Sequence, residues 1–448
     1  MVNGGVMKFK SLDELLLFTE DIVGKKFKEI DKKGLLLNKK DKGVLGKIVE
    51  TGFYGYDINN NSEADFAELG VELKVTGYKN IKRGISAKER LVLSKINYSN
   101  IINEKFDSSK VLFKNKKLLI IWYQYSHEHK SNYGEFKIKC FQLYDMGIDM
   151  DIFENDFNII KSAVKDGNAH LLSEGDTSYL GACIKGSSSK DRVKQPNSDI
   201  MAKPRAFSLK NSYMTGLLRS IGSETIVPST FKTAHNYVYS KFKPYFGLNQ
   251  LEISKKLGMD INPEKVPKDM NKQISNKIIG KDKDLKNIDD VFNKTNYQIK
   301  NLPVDGNLRP IERLSFRNLN LLEFDEEWED SDWKIYFEEI TLILILYNGK
   351  INGRKLPNGY RILNDVKSVS FTEDNLNMFK RSYEMVQSAI NSQDLSLLPY
   401  PNSYENQALV IAPRGVKGDK GYDTFFDKNG TKTCFMMNKD FVYDNLID

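Results

Sequence analysis

The run "DFAELGVELKVTG", residues 65–77, decides the fold because a polar turn passes there into an alternating strand. From Val71 onward, apolar residues alternate with Glu72, Lys74 and Thr76. A period of two indicates a half-buried strand whose polar residues share one face. The pattern therefore predicts a strand that presents a carboxylate beside an ammonium group, with Asp65 in the turn before it.

Length and composition allow two domains and several classes of partner. The chain has 448 residues, of which 40% are hydrophobic, and its formal net charge is +7. This length is typical of two domains, and a mild excess of base permits a polyanionic partner without requiring one. The longest apolar runs are too short to span a bilayer, so we expect no membrane partner.

The three cysteines indicate the compartment. Cys140, Cys183 and Cys434 lie far apart, with neither a disulfide framework nor the spacing of a zinc site. The first ten residues, "MVNGGVMKFK", lack the apolar core of a signal peptide. We therefore expect a cytoplasmic protein in a reducing environment.

The two halves of the chain resemble each other in four segments that occur in the same order. The pairs are 15–30 with 236–253, 69–97 with 294–320, 110–125 with 334–349, and 206–218 with 434–446. Such repetition predicts two related domains, 1–218 and 235–448, joined by a linker at 219–234. In each copy, helices precede alternating and buried strands. This order predicts an α/β (α+β) fold with a mixed central sheet flanked by helices.

Asp65, Glu72 and Lys74 follow the spacing D-x6-E-x-K, which suits hydrolysis of a phosphodiester. The two carboxylates are oxygen ligands of the kind that magnesium prefers, and the lysine would orient an attacking water. A nearby ammonium also favours the ionised carboxylates. The competing interpretation is a surface strand with an ordinary Glu–Lys ion pair.

Longer stretches carry a resemblance to a known family. The runs "KGVLGKIVE" (42–50) and "DFAELGVELKV" (65–75) resemble the active-site region of the MutH mismatch-repair endonuclease and of the GATC-cutting restriction enzymes of the Sau3AI type. The runs "EGDTSYLGACIKG" (174–186) and "KPRAFSLKNSYMTGLL" (203–218) resemble a later strand and the helix that follows it. The resemblance implies two restriction-endonuclease-like domains, as in the duplicated Sau3AI type.

The resemblance also implies roles for individual residues. Asp65 and Glu72 would bind Mg²⁺, with Glu50 as a further acidic residue near the metal. Lys74 would position the attacking water, and Lys114 would be a second active-site lysine. The alternatives are a solvated glutamate at a helix end for Glu50, and an ordinary surface lysine for Lys114.

The second copy lacks this chemistry. In the pairing of the halves, Val291 replaces Asp65 and Gln298 replaces Glu72, so no divalent ion would be gathered there. The resemblance implies that this domain binds a second recognition site and activates the first domain. The alternative is that it stabilises the fold or clamps flanking DNA. Its candidate DNA-binding residues are Arg313, Arg414 and Lys439.

DNA contacts in the first copy are expected around the strand "YLGACIKG" and the helix that follows. By resemblance, the candidates there are Lys185, Lys203, Arg205 and Lys210. The MutH nickase has a base-reading arginine just after this strand, where the present chain has Cys183, Ile184 and Lys185. The polar, basic segment 186–199 is interpreted either as a loop that orders on DNA or as an ordinary surface loop.

The leading hypothesis is a type IIE-like restriction endonuclease that cleaves double-stranded DNA at GATC with Mg²⁺. The alternatives are a strand-nicking endonuclease of mismatch repair and a non-catalytic DNA-binding regulator. The expected partners are DNA with two recognition sites and a cognate DNA methyltransferase. A monomer with one competent centre must either pair on DNA or nick each strand in turn.

Overall fold

The chain divides into two compact units in a computed structural model. The structure describes residues 8–38, 43–56, 63–81, 84–186, 188, 190–221, 234–280, 295, 297–401, 407–413, 422–424, 427–430 and 433–447. The first unit comprises 1–170 and 177–225, and the second comprises 171–176 and 226–448. In the described part of the chain, no helix is both long and apolar enough to cross a membrane.

The first unit begins with short helices, continues with a mixed sheet and ends with an antiparallel sheet. Its described α-helices are α1 (Leu12–Glu20), α2 (Phe27–Ile30), α3 (Val44–Ile48), α4 (Tyr98–Ile101), α5 (Lys110–Asn115), α6 (Met150–Lys165) and α7 (Asn211–Ser220). Its described strands are β1 (Val71–Ile81), β2 (Gly84–Ala87), β3 (Leu91–Lys95), β4 (Lys117–Gln124), β5 (Lys137–Asp145), β6 (Leu180–Ile184), β7 (Val193–Gln195), β8 (Ser198–Ala202) and β9 (Arg205–Leu209).

The mixed sheet of the first unit has the strand order β2-β1-β4-β5. The run Leu118–Tyr123 of β4 is buried along its whole length, as expected for a central strand covered on both faces. Strands β1 and β4 are parallel, and Glu72 lies opposite Leu118. Strand β1 forms as predicted, but its burial does not alternate, because Glu72 is only 3% exposed and Thr76 only 1%.

The second unit contains the corresponding elements in the same order. Its described α-helices are α8 (Ala234–Phe242), α9 (Gln250–Lys256), α10 (Met270–Ile279), α11 (Asp332–Glu339), α12 (Glu373–Ser392) and α13 (Lys439–Val442). Its described strands are β10 (Tyr297–Val304), β11 (Leu314–Asn318), β12 (Thr341–Asn348), β13 (Lys350–Ile351), β14 (Arg354–Lys355), β15 (Ile362–Val369), β16 (Leu409–Pro413), β17 (Tyr422–Thr424), β18 (Asp427–Gly430) and β19 (Thr433–Met437).

The sheet topology confirms the predicted fold class and the relation between the halves. Strands β10 and β12 are parallel, with Gln298 opposite Leu342, as Glu72 lies opposite Leu118. Strand β15 then runs antiparallel to β12, as β5 does to β4. The antiparallel sheets have the matching orders β3-β9-β6 and β11-β19-β16. The two units therefore share one architecture.

A glycine after the first helix of each unit makes the same contact. Gly24 has φ +90° and donates its N–H to Ile138 O at 2.8 Å. Gly247 has φ +82° and donates to Leu363 O at 2.9 Å. Positive φ values are costly for residues with a Cβ, which explains why glycine stands at both turns. The sequence repeat thus corresponds to a repeated backbone connection.

Candidate active site

Glu72 lies near the start of β1 and is only 3% exposed. Its Oε1 accepts a hydrogen bond from Lys74 Nζ at 2.7 Å, and Lys114 Nζ lies 3.5 Å from the same oxygen. Lys74 comes from the same strand, two residues on. Lys114 comes from the last turn of α5, directly before β4. Because β1 and β4 are parallel neighbours, both strands begin at the same end of the sheet. Helix α5, which directly precedes β4, therefore places Lys114 beside Glu72 at the start of β1.

Asp65 is held beside Glu72 by a tight turn. Phe66 and Val71 form an isolated antiparallel bridge, so the chain folds back on itself before β1. Asp65 N–H donates to Glu72 Oε2 at 3.3 Å, and Asp65 Oδ2 accepts the N–H of Leu73 at 2.9 Å. Burial, and then the charge of Glu72, raise the pKa of Asp65 to about 6. The two carboxylates therefore repel each other in a partly desolvated site.

Glu50 is carried by a π-helical turn, Val49–Phe53, that continues α3. Burial raises its pKa above the usual value, while the charge of Lys74 opposes this effect. Glu72 raises the pKa further, and Lys114 lowers it. Single π-helical turns are frequent at functional sites, because they redirect side chains within a helix. The structure thus brings Glu50 into the electrostatic field of the other four predicted residues.

The carboxylates can be tested for their fit to a metal ion. Among the described residues, no three His, Cys, Asp or Glu side chains lie close enough together to form a protein-only metal site. Magnesium, however, is commonly bound through one or two carboxylates, together with waters and substrate phosphates. The adjacent Asp65 and Glu72 match that smaller donor set, and a cation would relieve their repulsion.

Comparison with known proteins identifies the family. The family described as DNA mismatch repair enzyme MutH matches residues 54–161. The chain is also 34% identical over 364 residues to the type II restriction enzyme Sau3AI of Staphylococcus aureus, covering 76% of this chain and 72% of that protein. The chain belongs to the MutH/Sau3AI family. It is therefore a site-specific deoxyribonuclease, as the resemblance predicted.

The MutH match spans Asp65, Glu72, Lys74 and Lys114, whereas Glu50 precedes its first residue. Four of the five predicted active-site residues thus lie in the segment that matches the MutH family. Restriction endonucleases of this kind generally use a divalent metal ion, which is consistent with the adjacent carboxylates.

Two of the predicted DNA contacts differ from expectation, because the structure buries them. Arg205 is 4% exposed, and its Nη1 donates to Ala182 O at 2.6 Å. Lys210 is 2% exposed, and its Nζ donates to Thr177 O. In this arrangement, neither cation is presented to a nucleic acid. Lys185 is exposed and Lys203 is half-buried, so these two remain candidates for DNA contact.

The segment 186–199, interpreted from the sequence either as a loop that orders on DNA or as an ordinary surface loop, overlaps a hairpin. Strands β7 and β8 pair within it, and Asn197 at the tip has φ +59°. Asn197 Nδ2 donates to Lys165 O at 2.7 Å, which fixes the tip to the end of α6. This part of the segment is therefore a hairpin attached to α6. Ser187 and Ser189 lie outside the described residues.

Sequence reasoning missed Asp156, which organises the start of β6. It is completely buried on α6 and accepts the N–H groups of Ser178, Tyr179 and Leu180. Burial raises its pKa to about 6, against the opposing effects of these hydrogen bonds and of the Lys210 charge. Asp156 interrupts the apolar stripe of α6, and a carboxylate in such a stripe is the signal that could have revealed it.

The position equivalent to the active site is altered in the second unit. Lys300, which the pairing of the halves matches to Lys74, donates its Nζ to Ser315 O and lies 5.1 Å from the centre of the Phe316 ring. Glu338, which the pairing of the halves matches to Lys114, is 4% exposed and lies 3.6 Å from Lys334. The retained lysine is therefore used in internal contacts, and Gln298 offers a neutral amide. Val291 lies outside the described residues.

Two of the three predicted DNA-binding residues of the second unit, Arg313 and Lys439, lie at its surface. Arg313 is exposed, and its Nε donates to Asn438 Oδ1 at 3.0 Å. Lys439 follows Asn438 directly and is also exposed. Arg414 lies outside the described residues.

Proposed function

We propose that this MutH/Sau3AI family member is a type II restriction endonuclease that hydrolyses both strands of double-stranded DNA at GATC with Mg²⁺. The observation that carries the proposal is that Asp65 and Glu72 lie close to Lys74 and Lys114, at the end of the first sheet where β1 and β4 begin. The similarity to a type II restriction enzyme, 34% identity over 76% of the chain, supports the choice of reaction.

In this proposal, Asp65 and Glu72 hold the magnesium ion, with Glu50 nearby. The ion supplies charge neutralisation at the scissile phosphate. Lys74 orients the attacking water, and the ammonium groups of Lys74 and Lys114 lie 2.7 Å and 3.5 Å from Glu72 Oε1. The half-buried position of both lysines limits their mobility and orients their N–H groups for a phosphate or a water.

We infer a regulatory role for the second unit, which binds another copy of the recognition sequence and activates cleavage. It has the architecture of the first unit, but Gln298 and the internally bonded Lys300 replace the acidic site. The alternative role, a clamp on flanking DNA, predicts no activation by a second site. A cognate DNA methyltransferase would protect the host's own sites.

A mismatch-repair nickase is the second candidate, favoured by the MutH match over residues 54–161. The duplicated architecture argues against it, because nicking requires only one domain. A purely DNA-binding regulator is the third candidate. A regulator that only binds DNA would not need two adjacent carboxylates beside two lysines.

The proposal is tested by Glu72→Ala. Removing a metal-binding carboxylate costs several kcal/mol of transition-state stabilisation, so cleavage of a GATC duplex should fall at least about a thousandfold. Binding of the same duplex in Ca²⁺, measured by gel shift, should persist. The matched control is Glu68→Ala, which removes an exposed glutamate from the turn before β1 and should cleave normally. Normal cleavage by the Glu72 variant would refute the assignment.

A further inference from the structure

A basic groove lies at the surface of the second unit, away from its altered active-site position. It runs between the loop after β10, the hairpin β13–β14 and the start of α13. One part has a volume of about 260 Å³ and is lined by Arg309, Lys350, Lys355 and Lys439. An adjoining part, of about 400 Å³, continues along the same hairpin and shares Lys350. We name this feature the hairpin groove.

Two lysines of the hairpin groove are placed directly opposite each other. Lys350 and Lys355 are partners in the antiparallel register of β13 and β14. Like charges at directly opposite positions destabilise a strand pair, because their Cβ atoms lie only about 5 Å apart. Neither side chain has an ion-pair or hydrogen-bond partner within the described ranges. An anion between them would convert this repulsion into attraction.

The acidic residues of the groove do not neutralise it. Asp305 Oδ1 accepts the backbone N–H groups of Asn307 and Arg309, each at 3.0 Å, and so closes its own turn. The side chain of Asp440 is 84% exposed and lies 4.0 Å from Arg309. A contact at that distance and exposure is a weak surface pair. The groove thus keeps a positive balance.

Arg309 is oriented by an aromatic ring. Its guanidinium carbon lies 4.3 Å from the centre of the Tyr443 ring. Stacking of this kind uses the face of the guanidinium and leaves its N–H edge available for a phosphate. The side chain is 56% exposed, so a ligand could reach that edge.

Both turns that border the groove hold unusual backbone conformations. Leu308 has φ +63° in the loop that carries Arg309, and Asn352 has φ +47° in the hairpin that carries the two lysines. A left-handed conformation costs Leu308 of order 1–3 kcal/mol, whereas Asn352 and Gly353 (φ +77°) form the Asn-Gly pair that two-residue hairpin turns favour. Arg309 directly follows Leu308, and Lys350 and Lys355 lie on the two strands that the Asn352 turn connects.

The hairpin groove is distinct from the inert remnant of the active site. Gln298 lies at the start of β10, whereas Asp305 follows its last residue. With a rise of about 3.3 Å per residue, these two positions are about 23 Å apart along the strand. The groove therefore lies at the opposite end of the parallel strands from the altered centre.

We propose that the hairpin groove binds the phosphodiester backbone of a DNA duplex held by the second unit. This inference rests on the proposed function, in which that unit binds DNA. It specifies which surface of the unit contacts the phosphodiester backbone. Lysine and arginine contacts of this kind set the position of a duplex without reading its sequence. Lys350 and Lys355 carry the contact together with Arg309 and Lys439.

The test is the salt dependence of DNA binding by the full-length double variant Lys350→Gln/Lys355→Gln. Each lost phosphate contact lowers the slope of log K against log salt by about 0.9, so a drop of about 1.8 is expected. The matched control, Lys255→Gln/Lys256→Gln, removes the same charge from exposed positions on α9 and should keep the wild-type slope. Equal slopes in both variants would overturn the proposal.

Two further measurements separate this inference from the proposed function. The melting temperature of the groove variant should equal or exceed that of the control, because the substitution relieves lysine repulsion. Stimulation of cleavage by an uncleavable GATC duplex should be weakened in the groove variant alone. If the wild type shows no stimulation, the activating role fails, while the salt slope still decides the groove. If the stimulation and the salt slope are both unchanged in the groove variant, the hairpin groove does not bind the DNA backbone, whereas the activating role of the second unit is retained.

Discussion

Glu72 shows how one side chain connects the local pattern to the chemistry. The alternation of β1 would place it on the polar face of the strand, yet it is buried between two ammonium groups. Desolvation strengthens these charge interactions, because less water screens the charges. A solvent-exposed Glu–Lys pair would contribute little to folding or to catalysis.

The raised pKa of Asp65 predicts a pH-dependent stability. The pKa is 3.8 for an unperturbed aspartate and about 6 in the folded chain, so the folded state binds the proton more tightly. Stability should therefore fall as the pH rises from about 4 to 6. In EDTA, Asp65→Asn should be more stable than the wild type at pH 8 by about 2 kcal/mol, allowing for partial exposure.

Urea unfolding at pH 8 and at pH 4 would measure this difference, which should shrink at the lower pH. The exposed Glu68→Gln is the control for the loss of a negative charge in the same turn. A pH-independent difference for Asp65→Asn would show that its carboxyl group is not destabilised by burial and by Glu72.

Lys210 was expected at the DNA surface, and its burial makes a different prediction. Lys210→Met removes a cation whose charge lowers the pKa of the buried Asp156, together with the hydrogen bond from Lys210 Nζ to Thr177 O, and leaves Asp156 with its three backbone N–H donors. Loss of a buried hydrogen bond from a charged donor costs about 2 kcal/mol. The exposed Lys185→Met should change stability by less than about 0.5 kcal/mol. Equal urea midpoints for the two variants would show that Lys210 is not held as the structure indicates.

At the scale of elements, the π-helical turn after α3 decides where Glu50 points. Gly52, within that turn, packs so closely on α2 that a Cβ atom there would lie 1.9 Å from Ile30 O. Gly52→Ala should therefore displace the turn, destabilise the chain by about 2 kcal/mol and slow cleavage, because Glu50 moves with it. Urea unfolding and duplex cleavage would measure both effects.

Gly46→Ala is the control for this prediction, because Gly46 lies in α3, directly before the π-helical turn, and has space for a methyl group. Its Cβ would lie 3.9 Å from Glu50 Oε1, an ordinary contact. Alanine is favoured over glycine inside a helix by about 1 kcal/mol, so this variant should be as stable as the wild type or more so. Destabilisation by both substitutions would argue against a specific role for the packing of Gly52.

For the whole molecule, the duplication separates a competent unit from an inert one. If the second unit activates the first, plasmids with two GATC sites should be cleaved faster than plasmids with one. Adding an uncleavable GATC duplex should then accelerate the single-site plasmid. Gln298→Ala should leave basal cleavage unchanged, because the neutral amide gathers no ion. Equal cleavage rates on all substrates would exclude activation by the second unit and would favour the alternative, in which this unit clamps flanking DNA.

Local patterns in the sequence were sufficient for the fold class, the repeat and the family. Strand alternation depends on neighbouring residues, and the repeated segments preserve the parallel pairing of β1 with β4 and of β10 with β12. The D-x6-E-x-K spacing likewise brought Asp65 beside Glu72, because one short turn connects them.

Only the tertiary structure decided which charges are buried and which face solvent. Lys210 and Arg205 carry the same charge as Lys185, yet packing against distant segments enclosed the first two. Lys114 reaches Glu72 because two strands 46 residues apart in their register are neighbours in the sheet. The hairpin groove likewise combines three separate segments. Burial and charge proximity arise from long-range packing, which no local pattern of residues encodes.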